Sequence, residues 1–490
     1  MLSPIPNAAQ QGRPASAVED QQAEIAKLKV LLEATRAALR RSQQVANLFE
    51  RNVADSAEKA TAERRIDAGG DLPDVREETA RLAALREEAA RLDAAVARAR
   101  RELQRERRVY PGWLNLFGAA DVLARRSVAV MEKQRFIPDV AIGHDTLSLE
   151  TLDLLKQRFG TLTIFDAMET PVLKQRSGSY FRRLPRPVHE MIQPRIDHNI
   201  QRVDRVITVG PAMARRLREI YQRDIEVVLN SRSGPPVPRS DDLRRHVGAK
   251  KDDFLCLFGN LIAENYGFEE VLGAFAHLPD RFKLVNIGGF SGRDYEQKTR
   301  ELIAASGYQD RVLLGDPVSF DALPNLFSGA DLGIIAFKES LAENIKYALP
   351  NRFFDYCAAC LPIFTTRIED IAHFVESHDA GTVLPDLTPE AVASTILANL
   401  DNLPRWRANS ERLGQEIRWE NAGADFIQSL DPPGKKIAIV IRRDITIHGR
   451  THRAHRSLTA RGHTVKVFTT SGTLPAPVGM GDVVHVLLEE

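Results

Sequence analysis

The feature that most constrains the fold is a series of short apolar runs, each followed by a stretch with helical periodicity. The runs begin with "PDVAIGHD", "GTLTIFDA", "DRVITVG" and "IEVVLNS" and continue with "FLCLFGN", "FKLVNIGG", "RVLLGD", "LGIIAF" and "LPIFTT". Runs of about five apolar or β-branched residues separated by helices are typical of parallel strands covered on both faces. About nine such strands exceed one compact sheet. We therefore predict an α/β fold with two doubly wound, Rossmann-like sheets.

A stretch rich in proline and serine, "NSRSGPPVPRSDD" at residues 230–242, marks the linker between the two sheets. The first domain is predicted to span residues 110–230, and the second residues 243–430. Residues 435–490 contain a predicted strand, a helix and two further strands, beginning with "KKIAIVI". A unit of this length cannot cover its own faces, so we expect it to pack against another part of the chain.

Residues 16–108 show a different pattern, with few aromatic residues and an apolar residue at every seventh position. The series starts at Ile25, Leu32 and Leu39 and is interrupted by "DAGGDLPD" at residues 67–74. Such spacing lets two helices bury a shared seam and predicts a coiled coil or a helical hairpin. A hairpin within the chain and a parallel homo-oligomer both fit the pattern. A solvated charge run fits less well, because the seventh positions stay apolar.

The charged residues nearly cancel, since 67 Lys and Arg stand against 66 Asp and Glu, a formal net charge of +1. No whole-chain field would recruit nucleic acid, so we expect no nucleic-acid partner. Three cysteines are too few for a disulfide framework, and the first residues lack the features of a signal peptide. We predict a cytoplasmic protein, with peripheral attachment to the inner membrane face as an open alternative. Cys357 and Cys360 are predicted to be buried structural thiols rather than a redox or zinc pair.

Four segments between residues 254 and 366 follow one another in a recognisable order. They are "LFGNLIAENYGFEEVLGAF", "KLVNIGG", "RVLLGDPVSFDALPNLFSGADLGIIAF" and "NIKYALPNRFFDYCAACLPIFTT". This series resembles the donor-binding half of nucleotide-sugar glycosyltransferases with the GT-B architecture, especially retaining family 4, or glycosyl transferases group 1. Upstream, "PDVAIGHD", "LTIFDAMET" and "VDRVITVGPAMARRLREIY" are similar to the later half of the acceptor domain. The resemblance implies that residues 243–430 bind the donor and that residues 110–230 lie on the acceptor side.

The resemblance also assigns the ribose of the donor nucleotide to the carboxylate of Asp355. A carboxylate can accept hydrogen bonds from two neighbouring hydroxyls, and helix-start amides at Asn351 and Arg352 suit a diphosphate. A solvated surface acid is the alternative for Asp355, although "FFDY" has the composition of a core. The set expected to contact the donor is Asp355, Asn351, Arg352, Asn344, Lys338, Asn260, Tyr266 and Gly288.

A departure from the family pattern affects the donor sugar. The family commonly has a second acid before the one at position 355, and Tyr347 stands near that place. Asn344 is our preferred hydroxyl-binding side chain, with Glu339 and Glu343 as alternatives.

A second departure affects the charge of the phosphates. Asn260 and Tyr266 occupy the positions where the family usually has an arginine and a lysine. Neutralising a diphosphate then depends on other groups, and Lys338, Arg352 and helix-start amides are the candidates.

Polar residues follow two predicted strands of the acceptor side. His144 and Asp145 come after "PDVAIG". Asp166 and Glu169 come after "LTIF". Ligands of parallel sheets bind at the carboxyl ends of the strands, so we expect His144 and Glu169 to be catalytic or to contact the acceptor or phosphate. Helix capping explains Asp145 or Asp166 equally well.

Compared with the GT-B pattern, the acceptor side lacks its opening strand, glycine-rich loop, first helix and next two strands. Residues 435–490 resemble the missing pieces, so we hypothesise a circular permutation in which they complete the acceptor-side sheet. A tandem enzyme cut early in its second module is the alternative. Within "RRDITIHGRTHRAHR", Gly449 and Arg450 are predicted to face the crevice and meet donor phosphate or an anionic acceptor. A basic surface face is an equally good explanation of this segment.

These features predict a hexosyltransferase-type enzyme that moves a sugar from a nucleoside diphosphate sugar to a hydroxyl acceptor. The resemblance implies retention of the anomeric configuration and a role in cell-surface polysaccharide or glycan synthesis, with a glycan, a lipid-linked molecule or a protein as acceptor. No cofactor or metal is expected, because the chain has no Asp-x-Asp motif. The alternatives are a catalytically degenerate scaffold displayed on a coiled coil and, less favoured, a sugar-phosphate epimerase.

Overall fold

The structure, a computed structural model, describes residues 113–172, 186–259, 261–338, 343–347, 349–441, 449–469 and 483–485. The coiled coil predicted for residues 16–108 lies outside the described residues. Within them, none of the helices is both long enough and apolar enough to cross a membrane.

The described helices precede, connect and follow the strands of two sheets. They are α1 (Trp113–Lys133), α2 (Leu149–Phe159), α3 (Arg186–Arg202), α4 (Pro211–Tyr221), α5 (Asp242–Val247), α6 (Phe268–Ala274), α7 (Arg293–Ala305), α8 (Leu323–Phe327), α9 (Glu343–Lys346), α10 (Asn351–Ala358), α11 (Glu369–Ser377), α12 (Pro389–Ala398), α13 (Leu403–Ile417), α14 (Trp419–Ala422), α15 (Ala424–Gln428) and α16 (Gly449–Ala460).

The described strands all pair in parallel. They are β1 (Val140–His144), β2 (Leu162–Ala167), β3 (Arg205–Thr208), β4 (Glu226–Val227), β5 (Phe254–Leu257), β6 (Phe282–Ile287), β7 (Val312–Gly315), β8 (Leu332–Ile335), β9 (Ile363–Thr365), β10 (Gly381–Val383), β11 (Lys436–Ile441), β12 (Thr464–Thr469) and β13 (Val483–His485). The prediction of an α/β fold with two parallel, Rossmann-like sheets is confirmed.

The first sheet joins strands from two distant parts of the chain. Its order is β13-β12-β11-β1-β2-β3-β4. Strand β11 pairs directly with β1, with Val140 opposite Ile437 and Gly143 opposite Val440. All five residues of β1 are buried, as expected for a central strand whose two faces are covered by helices.

The second sheet has the order β10-β9-β8-β5-β6-β7 and lies wholly within residues 254–383. Two apolar clusters cover its faces. One packs around Phe353 and Tyr356 of α10, and the other around Phe268 of α6 and Trp406 of α13. The buried face of α10 therefore holds this helix against the sheet, and the same packing fixes where its polar residues lie.

The chain returns to the first sheet after α13. Trp419, Phe426, Ile427 and Leu430 pack in the apolar core of the first sheet, together with Ile439 of β11. The predicted second domain, residues 243–430, thus needs a correction, because its last residues belong to the core of the first sheet. Their side chains are apolar on the face that meets β1, β2 and β11, which is why they pack there.

The two sheets meet through a helix cap. The backbone N–H of Ala212, in the first turn of α4, donates to both carboxylate oxygens of Asp370 in α11, each at 3.0 Å. Gly210 permits this approach, since a Cβ there would lie 2.5 Å from Oδ2 of Asp370. Burial raises the pKa of Asp370, which the hydrogen bond from Ala212 opposes, and the contact joins α4 of the first sheet to α11 of the second.

Candidate functional site

The candidate site lies where the carboxyl ends of the two sheets face each other, the usual position of a ligand crevice in open parallel sheets. On the first sheet, β1 ends at His144 and β2 at Ala167, and α16 begins at Gly449 after β11. On the second sheet, α10 begins at Asn351.

A buried chain of polar groups occupies the strand ends of the first sheet. Nδ1 of His144 lies 2.8 Å from Oδ2 of Asp166. Arg450 binds the same carboxylate twice, with Nη2 at 3.0 Å from Oδ1 and with Nε on Oδ2. Its Nη1 donates to the backbone oxygen of Val228 at 2.7 Å. Strands β1 and β2, the residue after β4 and helix α16 are therefore joined by these hydrogen bonds.

The neighbouring charges determine whether the carboxyl group of Asp166 is ionised. Burial alone would raise the pKa of Asp166, but the charge of Arg450 and the hydrogen bond from His144 outweigh burial and lower it. An ionised carboxylate only accepts hydrogen bonds, so Nδ1 of His144 carries the hydrogen that it shares with Asp166. The ring is thereby held in one tautomer and one orientation.

The predicted ribose ligand, Asp355, is buried on α10 and is 1% exposed. Nε of Arg232 lies 2.5 Å from its Oδ1. Arg232 also donates from Nη1 to the backbone oxygen of Phe320 at 2.8 Å, and its guanidinium lies 3.2 Å from the centre of the Phe320 ring. The alternative of a solvated surface acid is wrong for Asp355, because the apolar face of α10 and the linker arginine enclose it.

The start of α10 places two predicted residues differently. Pro350 is extended and precedes the helix, and Asn351, which is exposed, accepts from Nδ2 of Asn230 at 2.6 Å. Arg352 is 3% exposed. Its guanidinium lies within a cage of three rings, 4.6 Å from Tyr266, 5.2 Å from Phe258 and 5.4 Å from Phe337. Asn351 therefore lies at the crevice, whereas Arg352 is directed into the core of the second sheet.

Lys338 lies beside acids rather than alone. Its Nζ is 2.7 Å from Oε2 of Glu269 and 3.0 Å from Oε1 of Glu270, both on α6. Burial alone would lower the pKa of Lys338, but these two hydrogen-bonded carboxylates raise it. A phosphate would have to replace two existing ion pairs in order to use this cation.

The remaining described residues of the predicted set lie on separate elements. Gly288 follows β6 with a φ of 155°, and Asn344 lies in α9. Asn260 lies outside the described residues. Glu169 follows β2 and is half-buried. Gly449 begins α16, where an added Cβ would lie 3.0 Å from Nη1 of Arg453.

Sequence reasoning missed two contributors. Arg232 lies within the stretch interpreted only as a linker. Arg453 belongs to the segment for which a basic surface face was an alternative, yet it is 4% exposed, and Arg450 is 3% exposed. Of the three arginines on α16, Arg456 alone is exposed. The spacing between Arg450 and Arg453 places them close together on the helix, whereas nothing in the spacing distinguishes them from the exposed Arg456.

The acceptor-side acid Asp145 has a local role. Its Oδ1 accepts from the backbone N–H of Thr146 at 2.7 Å, which caps the short 3-10 turn after β1. The thiols of Cys357 and Cys360 are free and buried, as predicted for structural cysteines.

The family that matches this chain in comparisons with known proteins does so over the second sheet. Residues 252–402 match the model of the family described as glycosyl transferases group 1. A D-inositol 3-phosphate glycosyltransferase from Xylanimonas cellulosilytica is 26% identical over 201 residues, which is 39% of this chain. The chain spans about half the length of that relative, 46%.

Among solved structures, sucrose-phosphate synthase from Thermosynechococcus elongatus is similar, with a TM-score of 0.50 and 17% identity. The match covers 62% of this chain and 76% of that one. HepE from Anabaena in complex with UDP-glucose is similar with a TM-score of 0.48 and 13% identity over 60% of this chain and 78% of that one. The first likeness shows the fold, which is the two-domain α/β architecture called GT-B.

Proposed function

We propose that this protein is a glycosyltransferase that moves a sugar from a nucleoside diphosphate sugar to a hydroxyl acceptor. The observation that carries the proposal is the position of Asp355. Its carboxylate is buried one turn into α10 and paired with Arg232 of the linker between the two sheets, within the segment that matches glycosyl transferases group 1. A carboxylate held there can accept hydrogen bonds from the two hydroxyls of a ribose.

Arg232 gives Asp355 a partner until the nucleotide arrives. Removing a buried carboxylate from its partner is costly unless new hydrogen bonds replace the lost ones. Two ribose hydroxyls supply such bonds, and Arg232 then remains held by Phe320 beside the diphosphate. Asn351, exposed at the start of α10 and bonded to Asn230, belongs to the same surface of the crevice.

On the acceptor side, we assign His144 the contact with the acceptor or with the departing phosphate. Asp166 accepts from Nδ1 and so orients the ring, and an imidazole held in this way is a group that can hold or move a proton at the crevice. Glu169, after β2, is the second acceptor-side candidate. Positioning of the acceptor hydroxyl and stabilisation of the leaving diphosphate are the contributions that the chain must supply.

Several finer features belong to the proposal and rest on the family resemblance. They are retention of configuration, a role in cell-surface polysaccharide or glycan synthesis, a cytoplasmic location and assembly through a coiled coil. The sheet order supports the proposed circular permutation, because β11 and β12 lie beside β1 in the place of the missing opening strands. No cofactor or metal takes part in the proposed reaction.

The test is a panel of nucleoside diphosphate sugars, assayed for hydrolysis and for transfer, together with D355N. Loss of charge-assisted hydrogen bonds should weaken nucleoside diphosphate affinity by about 10- to 100-fold, corresponding to about 1.5–3 kcal/mol. The control is D294N, since Asp294 is an exposed acid of the same half. Wild-type affinity and turnover in D355N would refute the assignment.

The runner-up is a binding scaffold with a degenerate glycosyltransferase fold. It is favoured by one observation, that Lys338 is already neutralised by Glu269 and Glu270. Calorimetry separates the two proposals, because a scaffold of this kind should bind none of the nucleoside diphosphates and hydrolyse none of the nucleotide sugars.

A further inference from the structure

Arg453 is a buried cation that has no anionic partner in the part of the chain that the structure describes. It lies on α16 and is 4% exposed. Its Nη2 donates to the side-chain oxygen of Asn230 and, at 3.2 Å, to the backbone oxygen of the same residue. Its guanidinium lies 5.8 Å from the Phe320 ring and 5.6 Å from the Trp419 ring. Among the described residues, no carboxylate lies within ion-pair distance of Arg453, and its Nε has no hydrogen-bond partner.

The neighbouring charges make this arrangement more costly. Arg232 and Arg450 lie close to Arg453, but each of them already has a carboxylate, Asp355 and Asp166 respectively. Among the described residues, three guanidinium groups thus face two carboxylates, an excess of one positive charge in a buried cluster. Burial, together with the charges of Arg232 and Arg450, lowers the pKa of Arg453 to about 9, so the side chain remains charged near neutral pH.

A purely structural role does not need this charge. Hydrogen bonds to the two oxygens of Asn230 could come from a neutral amide, without the cost of burying an unpaired cation. Arg456, one turn along the same helix, is exposed, so α16 does not require burial of its basic residues. The observation that needs explaining is the charge at position 453, and a ligand of negative charge would compensate it.

The surroundings of Arg453 suit an oxyanion. Helix α16 begins at Gly449, where the first backbone amides have no acceptor within the helix. A Cβ at Gly449 would overlap the Phe320 ring and would lie 3.0 Å from Nη1 of Arg453, so the ring and the guanidinium both lie beside this first turn. Asn230, which accepts hydrogen bonds from Arg453, also donates a hydrogen bond to Asn351 at the start of α10. Helix-start amides together with a fork of guanidinium donors match the oxygens of a phosphate.

We propose that Arg453, with Arg232 beside it, binds a phosphate group of a ligand in the crevice and so supplies a cation that the second sheet lacks at Asn260 and Tyr266. The group is either the diphosphate of a donor or a phosphate carried by the acceptor. Its assignment to the donor rests on the proposed function, whereas the phosphate site itself does not.

The experiment is calorimetry on the full chain with pyrophosphate, inorganic phosphate, uridine and guanosine diphosphates, and the two nucleosides. Loss of a charge-assisted contact in R453Q should weaken binding of the phosphate-bearing ligands by about tenfold or more. R456Q removes a charge from the exposed face of the same helix and should bind them as the wild type does. If R453Q binds the nucleoside diphosphates more weakly, the bound group is the diphosphate of the donor. If R453Q weakens binding of inorganic phosphate alone, the bound group is a phosphate carried by the acceptor.

The conservative variant R453K guards against a folding defect in R453Q. It keeps the charge but loses the fork, so it should bind pyrophosphate more weakly than the wild type at the same thermal stability. The proposal is overturned if R453Q binds like the wild type, or if the wild type binds none of the phosphate-bearing ligands. A chain that binds pyrophosphate through Arg453 yet turns over no nucleotide sugar would contradict the proposed function alone.

Discussion

Replacing Asp166 with asparagine should destabilise the first sheet strongly. Asp166 is fully buried, Arg450 is 3% exposed, and two hydrogen bonds join them while a third joins Asp166 to His144. In D166N the guanidinium stays buried without its counter-charge. Breaking a buried pair in this way costs about 3–5 kcal/mol.

The assay is equilibrium urea unfolding followed by the fluorescence of Trp419, which packs in the core of the same sheet. Trp113 and Trp406 are replaced by phenylalanine in every variant, so that one signal reports on one core. The control is E132Q, because Glu132 and its partner Arg158 are 36% and 53% exposed and such a pair contributes about 0–1 kcal/mol.

The double variant D166L/R450M removes both charges and should recover much of the stability lost in D166N, since no unpaired ion remains. Acid should act in the same direction as D166N. Because the folded-state pKa of Asp166 is lowered, its contribution is complete above the unfolded value of about 3.9 and is lost as the pH falls below it. A cost for D166N no greater than that of E132Q would refute the reasoning.

Two further predictions concern the second sheet. The hydroxyl of Tyr356 accepts from the backbone N–H of Gly259 at 2.8 Å, so Y356F should lose about 1–3 kcal/mol in thermal or urea unfolding, and unchanged stability would show that the bond is unimportant. Burial raises the pKa of Cys256, Cys357 and Cys360, the last to about 11, so Ellman's reagent should label none of them before unfolding. Rapid labelling of the native chain would contradict their burial.

The sheets could be predicted because their signal is local. Each of the nine apolar runs is long enough to cross a sheet and is bounded by turn residues, and each forms a strand in the structure. Strand β10, Gly381–Val383, was not predicted. It has three half-buried residues at the edge of the second sheet, and a run so short has no readable period.

The candidate site could be predicted only in part. His144 was selected because it ends a predicted strand, and Asp355 because it lies in a segment that resembles the glycosyltransferases. Both choices depend only on position along the chain. The arginines of the two buried ion pairs were not readable, since Arg450 is 284 residues from Asp166, which binds His144, and Arg232 is 123 residues from Asp355. Such pairs follow from tertiary packing, which places the buried charges that need compensation next to each other.

Strand pairing and charge compensation depend on each other in this chain. Helix α16 follows β11, and β11 lies against β1, so the pairing that covers the edge of β1 also brings Arg450 onto Asp166. Without that pairing, Asp166 would be buried beside His144 with no cation, and the edge of β1 would present unpaired backbone groups. The C-terminal strands therefore contribute to the site as well as to the sheet, and changes that weaken the pairing of β11 with β1 should impair ligand binding and stability together.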